Sequence, residues 1–239
     1  MIRLVAPAKL TLSLRMTGLR DDGYHLIDAE MVSLDFHDTL EIRAGSGLAV
    51  EGPAGTGSIG ADADNLVARA LRLIGRDAAV TIHKNIPAGA GLGGGSADAA
   101  AILRWGGFTD LEAAAGLGAD VAFCLVGGRA RVTGIGEIVD PLPFVERTFT
   151  LVTPPVFCST PAVYRAWDDV GGPEGDNGND LEPAALVVAP ELAPWRDELA
   201  DATGQRPRLA GSGSTWFVDG AHPNAGRVVT TVPAGWPTD

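Results

Sequence analysis

The stretch Pro87-Ala88-Gly89-Ala90-Gly91-Leu92-Gly93-Gly94-Gly95-Ser96 constrains this chain more than any other. Five of the seven residues from Gly89 to Gly95 are glycine, so the backbone there can take positive φ angles and approach a bulky anion closely. Good helix formers follow, from Ser96 to Trp105. Ser96 is placed to cap that helix, and Ala99, Ile102 and Leu103 can share its buried face. A helix N-terminus opening on the glycines offers unpaired N–H groups and a positive dipole end to phosphate, with the Ser96 hydroxyl available to a phosphate oxygen or a metal ion. Asp98, in the first turn, would repel a phosphate and is expected to point away from the loop. The bland alternative is a strand-to-helix turn needed only for packing. The loop lacks the Gly-Lys-Ser/Thr ending of a Walker A sequence, and no acidic residue matches the ribose-binding position of a dinucleotide fold.

The rest of the chain places this loop in a globular protein. Its 239 residues, 46% hydrophobic and 20% charged, can form a real core and fit one large or two small domains, of which two is the expectation. A net charge of −12 excludes a broad nucleic-acid face, so local donors must hold a nucleotide. Two cysteines, Cys124 and Cys158, are too few for a disulfide framework. Pro7 follows the N-terminus too closely for a signal peptide and no apolar run approaches membrane-spanning length, so the expected compartment is the cytoplasm.

Read in order, Leu10 to Met16 alternates at period two and predicts a half-buried strand, with Lys9 at its mouth. Lys9 is either a solvated end charge or a group that neutralises phosphoryl oxygens. Gly18 to His25 is a polar turn closing on Tyr24 and His25, which either pack on the core edge or form a base-binding corner. Ala29 to Phe36 and Thr39 to Arg43 predict two strands split by a turn at Asp35 to Asp38, and Gly45 to Ala63 a long loop or weak hairpin. Asp64 to Ile74 predicts a capped amphipathic helix and Ala79 to Lys84 a strand entering the glycine loop. Asp120 precedes an apolar stretch, as a structural N-cap or as a base toward a substrate hydroxyl. Beyond a composition shift near Pro141 to Arg147, Phe149 to Thr153 is a strand and Cys158 to Trp167 starts a helix with a hydroxyl cap. Leu181 to Val188 and Glu191 to Ala200 are helices, and a second glycine turn, Ala210 to Ser214, precedes Thr215 to Val218.

Four of these stretches together, Pro7 to Leu12, Asp22 to His25, Pro87 to Ser96 and Leu209 to Ser214, resemble the GHMP kinases. The resemblance implies a two-domain α+β fold with the active site in the cleft between a domain at 1–146 and a shortened one at 147–239. It implies ATP and Mg²⁺, a small-molecule substrate, and a monomer or homodimer that contacts neither nucleic acid nor membrane. Lys9 and Asp120 are the implied catalytic pair, Asp120 taking the hydroxyl proton. The ATP group is Asn65 and Lys84 near the adenosine, with Pro87, Gly89, Gly91, Leu92, Gly93, Gly94, Gly95 and Ser96 on the phosphates; Ser96 is the candidate metal ligand. Tyr24, His25 and Tyr164 would clasp a cytosine, with Thr11, Gly211, Ser212 and Gly213 completing the substrate side. Gly-Tyr-His and Asn179-Asp180-Leu181-Glu182 point within the family to a cytidyl diphosphate sugar alcohol as acceptor. A kinase of another small alcohol and a non-catalytic nucleotide-binding relative are the alternatives. Thr11 stands where the family usually has asparagine, and the chain is expected to end soon after Phe217 instead of continuing through another helix and strand.

Overall fold

The computed structural model describes residues 1–53 and 64–236. Two long antiparallel strands, β1 (Ile2–Leu19) and β2 (His25–Arg43), form its spine. Then come β3 (Gly47–Glu51), α1 (Leu66–Leu73), β4 (Ala79–His83), α2 (Gly94–Trp105), α3 (Leu111–Ala115), α4 (Val121–Val126), β5 (Arg129–Gly134) and β6 (Ile138–Pro141). The C-terminal part adds β7 (Thr148–Val152), α5 (Thr160–Asp169), α6 (Glu182–Val188), α7 (Leu192–Thr203), β8 (Arg208–Leu209), β9 (Trp216–Asp219) and β10 (Arg227–Val232). The architecture is α+β: the strands form one mixed sheet whose path runs β3-β4-β2-β10-β7-β9-β8, with β1, β5 and β6 attached through β2.

Three expectations are corrected. Asp35 to Asp38 is not a turn: β2 runs through it as one strand. Its polar residues serve neighbours, Asp35 accepting from Thr230 N at 2.9 Å and the fully buried Asp38 accepting from Asn85 N, just past the end of β4, at 2.6 Å. The segment from Gly45 is not a hairpin either, since β3 pairs parallel to β4; the remainder of that predicted loop, 54–63, lies outside the described residues. Finally, a further strand does follow Phe217, although no further helix does among the described residues. Strand β10 pairs with β2 through Thr231 and Val232 and with β7 through Arg227 to Thr230, so it bridges the two halves of the sheet.

Capping also differs. Helix α2 begins at Gly94 and is capped by the backbone of Gly93 in the left-handed region, with no side-chain capping bond, so Ser96 sits already inside the first turn. Ser159 precedes α5 without a side-chain capping bond. Asn65, by contrast, caps α1 by accepting from Val67 N at 2.9 Å.

Apolar packing fixes α2 against the sheet. Ala97, Ala99, Ala100, Ala101, Ile102 and Leu103 are all buried, so this alanine-rich helix lies close on its neighbours where larger side chains would hold it off. A second cluster, which includes Leu10, Leu34, Phe149, Leu151, Phe217 and Val229, joins β1 and β2 to β7, β9 and β10. The core therefore continues across position 146. No described helix is long and apolar enough to cross a membrane.

Candidate functional site: two cavities meeting at an ion pair

The β1–β2 register shifts between Pro7 and Lys9. Such an irregularity re-aims a side chain and releases a backbone group from the ladder. The Lys9 N–H donates instead to Leu92 O of the glycine loop at 3.0 Å. The Lys9 ammonium is buried, 3.1 Å from Thr11 Oγ1 and 3.2 Å from Asp120 Oδ2. Asp120 immediately precedes α4 but makes no side-chain capping bond. Its carboxylate is turned to Lys9 and keeps 29% of its side-chain surface exposed. The capping explanation for Asp120 thus fails, and Thr11, expected only on the substrate side, accepts from the lysine as well.

Both glycine turns close over this pair. Gly93 has φ 66°, and a Cβ on it would lie 2.7 Å from Lys9 Cγ, so the loop backbone rests on the lysine stem. Gly91 has φ +74°, and a Cβ there would lie 2.6 Å from Gly213 O of the second turn. Thr215 N donates to Ala90 O at 3.1 Å, tying the two turns together. Asn179 organises the second turn, donating from Nδ2 to Leu209 O at 2.9 Å and to Gly211 O at 2.7 Å. Asp180, next to it, accepts from Arg15 Nη1 at 2.5 Å and Met16 N at 2.8 Å, fastening this segment to β1.

Beneath the first loop lies a buried cluster of Asp38, Lys84 and Asp98. Asp38 Oδ1 accepts from Asn85 N at 2.6 Å and Ile86 N at 2.8 Å, and its Oδ2 accepts from Lys84 Nζ. Lys84 also donates to Asp98 Oδ2 at 2.8 Å. One network thus pins the residues entering the loop to the helix leaving it. Burial tends to lower the Lys84 pKa, but Asp98 and Asp38 more than offset it and the net shift is upward. Burial pushes Asp98 up to about 7, with Asp38 adding to the shift and Lys84 opposing it. Asp98 turns onto Lys84, and the Lys84 ammonium donates to both acidic side chains beside the cavity it was expected to serve.

Two cavities flank the Lys9–Asp120 pair. One, about 500 Å³, is walled by Asn65, Lys84, Pro87 and the loop glycines Gly89, Gly91, Gly93, Gly94 and Gly95. The other, about 600 Å³, is walled by Lys9, Thr11, Tyr24, His25, Tyr164, Gly211 and Ser212. Both sizes suit small-molecule ligands. Gly91, Ser96, Asp120 and Thr160 line both, so the cavities adjoin there. Leu92 and Gly213 line neither: the Leu92 side chain is core, and Gly213 serves by its carbonyl against Gly91. Ser212 Oγ lies 2.8 Å from Thr160 Oγ1 at the junction. In the second cavity Tyr24 is 59% exposed, while the Tyr164 hydroxyl is pushed up to about 12 by burial and by the Asp120 charge, which keeps it a neutral donor. Asp168 and Trp167, whose roles sequence reasoning missed, contact His25 there.

No group of three His, Cys, Asp or Glu among the described residues could hold a metal. Ser96 and Asp120 put one hydroxyl and one carboxylate oxygen donor on the shared wall of both cavities, which is the number of protein oxygens a hard cation that keeps most of its water requires.

Residues 65–128 match the GHMP kinases N terminal domain. The chain is 40% identical to the 4-diphosphocytidyl-2-C-methyl-D-erythritol kinase of Paracoccus denitrificans, over 98% of this chain and 94% of that protein. It is 39% identical to the kinase of the same name from Ruegeria pomeroyi, over 97% of this chain and 92% of that one. A crystal structure of 4-(cytidine 5'-diphospho)-2C-methyl-D-erythritol kinase is similar with a TM-score of 0.74 and 32% identity, covering 98% of this chain and 100% of that chain. The L. major mevalonate kinase in complex with R-mevalonate shares the fold, with a TM-score of 0.63 at 16% identity over 98% of this chain and 97% of that one. The chain belongs to the GHMP kinases, a family of ATP-dependent small-molecule kinases, and within it to the group of the 4-diphosphocytidyl-2-C-methyl-D-erythritol kinases.

Proposed function

We propose that the protein transfers the γ-phosphoryl group of ATP to the 2-hydroxyl of 4-diphosphocytidyl-2-C-methyl-D-erythritol, giving the 2-phosphate and ADP. The observation that carries this reading is the Lys9–Asp120 pair, 3.2 Å apart, where the two cavities adjoin. Phosphoryl transfer asks mainly for positioning and for stabilisation of charge on the equatorial oxygens. The free N–H groups at the start of α2 bind the phosphates from below, and Lys9 faces them from the acceptor side. The substrate oxygen attacks the γ-phosphorus, the bond to the bridging oxygen of ADP breaks, and the hydroxyl proton passes to Asp120. Mg²⁺, held at Ser96 with the phosphates, would neutralise charge on the β- and γ-oxygens. Tyr24, His25 and Tyr164 hold the cytosine end, which leaves the sugar alcohol to reach the junction. We assign residues 1–146 to the nucleotide-binding part and 147–239 to the part that closes the acceptor cavity.

The test is to mix the protein with ATP, Mg²⁺ and the cytidyl sugar alcohol and to follow ADP. ADP formation that requires the cytidyl compound is the expected result. Nucleotide binding without transfer to it would overturn the reading.

A further inference from the structure

Helix α5 sets Tyr164, Trp167 and Asp168 on one face, at the i, i+3, i+4 spacing that makes helical residues neighbours, and all three meet His25 at the start of β2. The Tyr164 ring centroid lies 5.2 Å from the imidazole at 50°, and Trp167 meets it edge-on at 5.7 Å. Trp167 is itself held by a bond from Nε1 to Pro173 O at 2.9 Å. Asp168 Oδ1 lies 2.8 Å from His25 Nε2. A carboxylate only accepts, so the proton of this bond sits on Nε2, and in the neutral ring Nδ1 keeps its lone pair. Among the described residues Nδ1 has no hydrogen-bond partner, yet it is not one of the buried polar atoms left unpaired. It is accessible, on a ring that lines the acceptor cavity.

Asp168 is poorly placed for the helix it belongs to. It stands in the last turn of α5 beside Asp169, with no basic residue in that turn, and a negative charge at the C-terminal end of a helix is destabilising. Half its side-chain surface, 51%, is exposed, so it adds little packing. A residue that breaks a local rule in this way is explained by what it holds.

We propose that Asp168 is a positioning residue that makes the acceptor cavity select cytosine over uracil. By keeping the His25 proton on Nε2, it leaves Nδ1 to accept from the exocyclic amine of cytosine. Uracil carries a carbonyl oxygen at that position, which would set two acceptors against each other with no proton between them. This rests on the substrate reading above, and the experiment separates the two.

The nucleotide cavity is filled with a non-hydrolysable ATP analogue, and binding of cytidine 5′-diphosphate and uridine 5′-diphosphate is measured by calorimetry. Wild type, Asp168→Ala and Asp169→Ala are compared, with melting temperatures taken alongside. Wild type is expected to prefer the cytidine compound, and Asp168→Ala to lose on the order of tenfold of that preference without melting earlier. Asp169→Ala, which removes the neighbouring charge from the same turn, is expected to keep the preference. If Asp168→Ala discriminates as wild type does, or if Asp169→Ala loses as much, the role of Asp168 is refuted while the substrate reading stands. If wild type shows no preference for cytidine, the base assignment of this cavity falls and the inference with it.

Discussion

At the residue scale, the groups to which we assign the chemistry are far apart in the chain. Lys9 and Asp120 each have a bland explanation, an end charge and a helix cap, and the structure removes both: Lys9 is buried, Asp120 makes no side-chain capping bond, and the two side chains meet. Only the third dimension could decide this, because neither residue's local sequence distinguishes the two roles. Lys84 and Asp98 show the limit more sharply. Nothing in the sequence pairs Lys84 with Asp38, which lies on a strand that reads locally as two strands and a turn. Asp98 gives this cluster a pH signature. Its folded pKa of about 7 lies above the unfolded value of about 3.9. The folded protein therefore holds a proton that the unfolded chain releases between those values, and stability falls as pH rises through that window. Asp98→Asn is expected to flatten the slope of melting temperature against pH between about 4 and about 7. An unchanged slope would place the titration elsewhere.

At the scale of elements, the two glycine turns act as one unit. The first was plain from composition, and its continuation into a helix held. That it must also fit against the second turn was not visible, since a glycine kept for a close approach looks like one kept for a bend. Gly91 meets both demands, with φ +74° and Gly213 O at 2.6 Å from where a Cβ would sit. Gly91→Ala is expected to cost about 1–3 kcal/mol in stability for the strained backbone and to raise the KM for ATP as the turns part. Chemical denaturation and initial rates at varied ATP check both, and a variant with wild-type values for each would show that the turns are not tightly coupled. The face of α5 that meets His25 was legible in principle, because Tyr164, Trp167 and Asp168 have helical spacing. Tyr164 alone was picked out, by the resemblance, and the partner that gives the face its meaning is on β2.

For the whole molecule, the fold class followed from the resemblance, while the way its halves join did not. Strand β10 carries the join. Its sequence, Arg-Val-Val-Thr-Thr-Val, has β-branched residues suited to a strand, but it lies beyond the last motif that carries the resemblance, and nothing local says which strands it joins. Removing residues 227–239 is expected to cost about 3–6 kcal/mol from its buried Val229 and Val232 alone, and to uncouple β2 from β7. Loss of a single cooperative melting transition is the expected readout, and a truncated chain that melts like the full one would contradict it. A continuous sheet matters to function because Lys9 and the first glycine turn belong to one half and Gly211 to Gly213 belong to the other. If phosphoryl transfer takes place where these halves bring Asp120 and Lys9 together, Asp120→Asn must slow it. Its kcat with ATP and the cytidyl sugar alcohol is expected to fall by about 10²–10⁴ while the Kd for ATP stays near that of wild type. Turnover of Asp120→Asn at the wild-type rate would show that Asp120 does not take the hydroxyl proton and that transfer does not depend on this pair.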